Sequence, residues 1–342
     1  MTILVLGGFG NGAIENFYVK GFGHLPIDVE TFDITKGYYE KLNKSLINKV
    51  VNKIEPAFFY TAINDQLLHF IQGKKYDVIL LFKGLTIFPS TIRQLKEYTH
   101  LLCCYNPDHP FKFFSEGSGN ANISESISLY DLHISYSENI TKQLKEIYHI
   151  KACTIPFGFD DSPVDIPSLT QSQDTILFVG AYDHQRALFL KRLSEPTLCI
   201  YGDKKWYSRT YLDPALRDRY AGRSLYGDEY KSAVKESTGV LNLLRKQNIL
   251  EGSHNMRTFE VPGYGGLLIA NRTPEQQSFF QEDTEAVYFD SLEELKDRIG
   301  FLKKHDRLID KIKAAGYQRS LRSGYSYTSR SEQLYVEIKK YL

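Results

Sequence analysis

The chain has 342 residues, with 42 Lys and Arg against 41 Asp and Glu, a net charge of +1. That length allows two domains of ordinary size, and an apolar share of 42% with 24% charged residues is the balance of a globular protein. So small an excess of charge provides no field for nucleic acid or a strongly acidic partner.

Met1-Thr2-Ile3-Leu4-Val5-Leu6 has no basic leader and enters a strand directly, so no signal peptide is expected. No apolar run approaches the ~20 residues of a membrane span. Cys103, Cys104, Cys153 and Cys199 lack metal-ligand spacing and sit in or beside apolar runs, which suits buried thiols in a reducing compartment. A cytoplasmic protein is expected, with peripheral membrane contact through a surface patch left open.

In chain order, apolar strands alternate with helical patterns, the signature of a parallel sheet covered on both faces. Ile3–Leu6 is the first strand, Gly7–Gly12 a turn, Ala13–Gly21 a helix and Val29–Phe32 a second strand. Leu42–Ile54 and Thr61–Ile71 read as helices. Asp77–Phe82 is a strand ending at Lys83-Gly84, and Ser90 caps a helix running to about Tyr98. Leu101–Tyr105 is a strand that breaks at Asn106-Pro107-Asp108-His109-Pro110. Ser115–Ser126, rich in Ser, Gly and Asn, reads as a surface loop, either a lid or a plain connection. Leu132–Ser135 and Ala152–Ile155 complete the first array.

Asp160–Asp174 reads as a linker. The alternation then restarts with the strand Thr175–Val179, the helix His184–Leu193 and the strand Leu198–Tyr201. A helix Glu229–Ser237 and a strand Gly239–Leu243 follow, and Phe259–Tyr264, Leu267–Ala270, Pro274–Phe280 and Ala286–Phe289 continue the pattern. Leu292–Leu302, Leu308–Arg319 and Thr328–Tyr341 read as helices. Ligands of open α/β sheets bind at the strand C-terminal edges, and every candidate below lies at or just after a strand end.

The most informative segment is Ser253 to Ala270. His254, Asn255, Arg257 and Glu260 precede a glycine-rich turn at Gly263, Gly265 and Gly266, and a buried strand follows. Arg257 and nearby N–H groups suit phosphate, and the Glu260 carboxylate suits two ribose hydroxyls. Asn255, Arg257, Phe259, Glu260, Gly265 and Gly266 match in order a pattern Asn-x-Arg-x-Phe-Glu-x-x-x-x-Gly-Gly. In this the chain resembles the GT-B glycosyltransferases, in the branch related to the spore-maturation protein CgeB.

The resemblance implies an α/β fold of two Rossmann-like domains facing a central cleft. These would be an acceptor-side domain over 1–162, with the helix 325–342 packing back on it, and a nucleotide-sugar donor domain over 163–324. It also implies transfer of a sugar from a nucleotide-diphosphate donor, a UDP-sugar by preference, to a glycan or lipid-linked acceptor in bacterial surface polysaccharide or spore-coat work. A basic residue after the first strand of the donor domain would reach the leaving phosphate; Arg186 fits, with His184 as runner-up. The base would be recognised near Tyr201-Gly202-Asp203-Lys204-Lys205-Trp206 through backbone groups and an aromatic. Retaining members often carry a second Glu eight positions before Glu260, where this chain has Gly252.

Inverting transfer needs a base for the acceptor hydroxyl. Similar proteins place an acidic pair at the Asn106–Pro110 break; here the second acid is His109. Either Asp108 or His109 is the base, or Asp108 orients His109. Gly8-Phe9-Gly10-Asn11-Gly12-Ala13 with Asp33 resembles a dinucleotide fingerprint, but the second array and the Asn255–Gly266 motif favour the transferase. No Asp-x-Asp motif stands in a site-like position, so the reaction is expected to need no metal and no cofactor beyond the nucleotide sugar, with arginines and helix N-termini supplying positive field. The rival readings are a nucleotide-sugar epimerase on the same fold and a non-catalytic nucleotide-binding module.

Overall fold

A computed structural model describes residues 1–112, 118–162 and 173–342. Residues 115–117 of the expected loop and 163–172 of the expected linker lie outside the described residues. The chain divides into two compact units, Met1–Pro156 with Thr328–Leu342, and Phe157–Tyr327.

The first unit opens with β1 (Thr2–Gly7), α1 (Ile14–Phe22), β2 (Asp28–Asp33), α2 (Lys36–Leu42), α3 (Leu46–Ile54) and α4 (Ala57–Ile71). It continues with β3 (Tyr76–Phe82), α5 (Pro89–Leu95), β4 (Thr99–Asn106), α6 (Ala121–Ser126), β5 (Leu132–Ser135), α7 (Glu138–Glu146) and β6 (Ala152–Thr154). Its sheet is parallel throughout, in the order β2-β1-β3-β4-β5-β6. Ile3–Leu6 and Val78–Leu81 are fully buried, as strands covered on both faces must be. That is why they read as unbroken apolar runs.

Two expectations change here. The helix expected over Leu42–Ile54 starts later, at Leu46, where Ser45 accepts the amide of Asn48 at 3.1 Å, and a separate helix, α2, precedes it and ends at Leu42. The loop Ser115–Ser126 contains α6, which Asn120 caps through the amide of Ile123. Ile123 and Ile127 are buried there, so two well-spaced apolar residues outweigh a polar composition.

The second unit runs β7 (Gln173–Val179), α8 (His184–Leu193), β8 (Leu198–Tyr201), α9 (Lys205–Thr210), α10 (Pro214–Arg217), α11 (Gly227–Glu236), β9 (Ser237–Asn242), α12 (Lys246–Leu250) and α13 (Arg257–Gly263). β10 (Leu268–Asn271), α14 (Pro274–Phe279), β11 (Val287–Phe289), α15 (Leu292–Leu302) and α16 (Asp306–Arg322) follow. Its five strands are parallel, in the order β11-β10-β9-β7-β8. Its core gathers Phe178, Leu190, Ile200, Trp206, Leu241, Ile269 and Phe289. The chain enters and leaves this unit side by side: the amide of Phe159 donates to Tyr325 and that of Tyr327 to Phe159.

The last helix, α17 (Tyr327–Lys339), belongs to the first unit from Thr328 onward. Ser331 and Leu334 are fully buried, and the Ser331 hydroxyl reaches the Tyr18 carbonyl on α1 at 3.5 Å. Among the described residues no helix is long and apolar enough to cross a membrane.

Candidate functional site

The strand order of the second unit reverses between β7 and β9: from β7 the chain moves to β8 on one side, then returns to β9 on the other. At such a switch the connections leave in opposite directions and open a crevice at the strand C-termini. β7 ends at Val179 and leads through Gly180 into α8; β9 ends at Asn242 and leads through Arg245 into α12 and α13. Three arginines occupy these connections: Arg186 on α8, Arg245 after β9 and Arg257 at the start of α13.

The three are close enough to repel. Burial, then the charges of Arg245 and Arg257, pulls the Arg186 guanidinium down to about 10, so it stays charged at neutral pH. Its Nη2 donates to the Ala181 carbonyl at 3.0 Å and its plane lies 5.7 Å from the Phe178 ring centroid. The Nε atoms of Arg186 and Arg257 are buried and have no hydrogen-bond partner among the described residues. Half-buried like charges with unmet donors are the kind of chemistry that an anion would satisfy. Arg245 was not singled out from the sequence. It follows the apolar run Gly239–Leu244, and nothing in the spacing ties it to Arg186.

A buried polar network fixes where Arg257 stands. Asn255 exchanges two amide hydrogen bonds with Asn242 at the end of β9, at 2.8 and 3.1 Å. Its Oδ1 also accepts the amide of Thr258 at 3.3 Å, and the Thr258 hydroxyl donates to Gln276 at 2.8 Å. The Asn255 side chain thus ties the start of α13 to the end of β9.

Glu260 lies one helical turn beyond Arg257. It is 8% exposed and its Oε2 accepts the Tyr230 hydroxyl at 3.1 Å. Burial raises its carboxyl above the ordinary range and the Asp160 charge adds to the rise, while Arg257 and Tyr230 pull it down. Asp160 is itself held below the usual range, because its hydrogen bonds to Lys231 and Ser162 overcome its burial. The Lys231–Asp160 pair, at 2.7 Å, has the lysine side chain only 5% exposed.

Other residues picked from the sequence have different work. Gly265 (φ +76°) and Gly266 donate to the carbonyls of Pro262 and Val261 at 2.9 Å each, closing the C-terminus of α13. Their amides are spent at a helix C-terminus, where the dipole repels anions, so they are not phosphate donors. A side chain on Gly266 would strike Val234 Cγ1 at 2.5 Å. Gly202 donates to Arg223 at 3.0 Å and accepts from the Tyr220 hydroxyl at 3.2 Å. Trp206 is fully buried, with its Nε1 donating to Gly180 at 2.8 Å. Neither therefore offers a free group to a base; Gly202 is glycine because a Cβ there would lie 2.2 Å from the Gly180 carbonyl. His254 is fully buried against the edges of Phe157, Phe259 and Phe279, with Nδ1 2.6 Å from Glu275 Oε2. That makes it a core histidine rather than a ligand. His184 is exposed.

A cavity in the same unit is lined by Lys231, Lys235, Tyr264, Lys313 and Tyr317. Lys313 donates there to the carbonyls of Lys235 and Ser237, at the beginning of β9. This is the N-terminal end of β9, and Asp160 and Gly265 line the same cavity.

In the first unit the order reverses between β1 and β3. Lys83 ends β3 with φ +65°, a left-handed conformation rare outside glycine, and its ammonium pairs with Asp108. The Asp108 side chain is 31% exposed and its amide is held by Asn106 Oδ1 at 3.0 Å. His109 is buried, and its Nδ1 accepts the amides of Phe111 and Lys112 at 3.2 and 3.1 Å. Of the two candidates for the base, Asp108 or His109, the histidine thus has its Nδ1 engaged by backbone amides. Glu15 accepts the Gly8 amide at 3.2 Å, and its burial raises it against the pull of Lys83. Asp33 Oδ1 caps the next turn through the amides of Thr35 and Lys36 at 2.7 and 2.9 Å. Among the described residues no three His, Cys, Asp or Glu side chains cluster as metal ligands.

Residues 185–335 match the family described as glycosyl transferase-like. Comparison with curated protein sequences finds no match. Solved structures resemble the chain over its whole length. A glycosyltransferase from Rickettsia africae has a TM-score of 0.62 at 12% identity, covering 99% of this chain and 98% of its own. An alpha,alpha-trehalose-phosphate synthase (UDP-forming) from Burkholderia vietnamiensis has 0.65 at 8%, covering 99% and 100%. A UDP-GlcNAc 2-epimerase from Neisseria meningitidis, bound to UDP-GlcNAc, has 0.58 at 13%, also covering 99% and 100%. The two parallel-sheet units thus form a GT-B glycosyltransferase-like fold.

Proposed function

We propose that the protein is a glycosyltransferase that takes a sugar from a nucleotide-diphosphate donor, a UDP-sugar by preference, and adds it to a glycan or lipid-linked acceptor. The observation that carries this reading is the set Arg186, Arg245 and Arg257 at the β7–β9 switch, with the buried carboxylate of Glu260 one turn away. Their positive field suits the charge that gathers on a departing diphosphate, and Glu260 suits the ribose hydroxyls. For an inverting displacement the acceptor oxygen attacks the anomeric carbon, the nucleotide diphosphate leaves, and Asp108 takes the acceptor proton. The solved relatives that form or bind uridine nucleotides support the choice of base. No cofactor beyond the nucleotide sugar is invoked. Four free cysteines, two of them buried, fit a reducing and hence cytoplasmic setting, and surface polysaccharide is the acceptor class we favour.

The epimerase among the structural relatives supports a second reading, a UDP-sugar epimerase on the same fold. Incubating purified protein with a panel of UDP-sugars separates the two. A transferase releases UDP and needs an acceptor for speed; an epimerase returns an isomeric UDP-sugar and no UDP. If calorimetry detects no binding of any nucleotide diphosphate, or if Arg257→Ala binds UDP with wild-type affinity, the donor reading fails.

A further inference from the structure

Helix α3 is patterned inside out. At about 100° per residue, Leu46, Ile47, Val50 and Ile54 fall within an arc of roughly 100°, and that arc faces solvent, with exposures of 79%, 73%, 57% and 78%. Asn48 and Asn52, on the other side, are the less exposed residues, and Val51 reaches the core. A helix on a globular domain ordinarily turns its apolar stripe inward. Tyr39 on α2 and Phe58 on α4 add rings 52% and 68% exposed, and both helices pack against α3. Scattered apolar side chains at a surface need no explanation, but a contiguous set of this kind marks an interaction site.

Charge selects the partner. Between Lys36 and Phe58 the sequence has five lysines against two acids, Glu40 and Glu55, an excess of +3 in a chain whose total is +1. Lys36, Lys41, Lys44 and Lys49 are exposed, and none has an ion-pair partner among the described residues. An apolar helical face bordered by unpaired lysines is the pattern of a segment lying in the plane of a membrane interface, where cations meet anionic headgroups and apolar groups enter the acyl boundary.

We propose that α2, α3 and the start of α4 form a docking surface for an anionic lipid bilayer. Leu46, Ile47, Val50, Ile54 and Phe58 insert, and Lys36, Lys41, Lys44 and Lys49 bind the headgroup phosphates. This goes beyond the donor chemistry and does not rest on it.

The test is flotation of the full chain with vesicles of phosphatidylcholine alone and with about one quarter phosphatidylglycerol. Wild type should float with the anionic vesicles about tenfold more strongly than with the neutral ones, and less so at high salt. Ile47→Asp with Ile54→Asp, and separately Lys44→Glu with Lys49→Glu, should each lower that binding about tenfold. These positions are exposed, so thermal midpoints should hold; should one pair lower its midpoint, the other pair decides. Wild type left unbound by anionic vesicles, or both variant pairs floating like wild type, would overturn the proposal. So would a lipid-independent dimer in sedimentation that Ile47→Asp with Ile54→Asp abolishes, which would assign the face to a second copy. UDP binding by the same variants, measured without vesicles, should match wild type; membrane binding and donor binding can therefore fail separately.

Discussion

The Tyr230 hydroxyl donates to Glu260 Oε2 at 3.1 Å, and both side chains are buried. This bond joins α11 to α13 and holds the acid that lies one turn beyond Arg257. It also opposes the burial that drives Glu260 toward its neutral form.

Glu260→Gln should therefore separate stability from binding. A carboxyl whose folded value is raised above the ordinary 4.5 costs stability where the unfolded chain would be ionised. The wild type is thus favoured below that value and loses the advantage as pH rises through the folded one. The glutamine variant should melt higher than wild type at neutral pH, and the gap should close toward acid. Its UDP affinity should fall if the carboxylate grips ribose. Thermal melts across pH, paired with calorimetry, check both; a variant less stable at pH 7 would contradict the burial argument.

Tyr230→Phe leaves the buried carboxylate short of a donor. The expected loss is ~1–3 kcal/mol in denaturant unfolding. It should also move the apparent pKa of nucleotide binding upward. An unchanged unfolding midpoint would mean that the bond contributes nothing.

Removing one arginine relieves repulsion in the empty protein and weakens its hold on a diphosphate. Arg186→Met and Arg245→Met should each keep or raise the melting temperature, while UDP affinity falls about tenfold or more, the ~1.5–3 kcal/mol of a charged hydrogen bond. Loss of stability without loss of affinity would recast these residues as structural.

Gly265→Ala tests the glycine pair. The alanine must adopt φ +76°, at a cost of roughly 1–2 kcal/mol. UDP affinity of the folded variant should match wild type, because the amide is spent on the Pro262 carbonyl. A large affinity loss with full stability would return this turn to the phosphate site.

His133 should make the first unit acid-sensitive. Burial lowers it from 6.5 to about 4, and its Nε2 donates to the Ile127 carbonyl at 2.9 Å. A base with a depressed folded value loses stability as pH falls from the unfolded value to the folded one, here up to roughly 3 kcal/mol below pH 4. His133→Gln should flatten the stability curve between pH 6.5 and pH 4. A wild-type slope in that variant would place the acid sensitivity elsewhere.

The alternation of strands and helices was legible because a parallel strand buried on both faces must be apolar along its length, as Val78–Leu81 and Leu268–Ala270 are. Period and polarity therefore determined two α/β arrays, and the order Asn255, Arg257, Glu260 before a glycine turn marked one place of interest. They could not reveal which polar groups would be spent inside the fold. Asn255 is consumed by Asn242, thirteen residues earlier, and His109 Nδ1 by two backbone amides. The amides of Gly265 and Gly266 are taken by the carbonyls of Pro262 and Val261 at the end of α13. Arg245 joined Arg186, 59 residues earlier in the numbering, only once strand order brought the ends of β7 and β9 side by side. Hydrogen-bond partnership and charge proximity are properties of distance in space. Composition and spacing constrain distance along the chain, and for this protein the sheet's reversal converted one into the other.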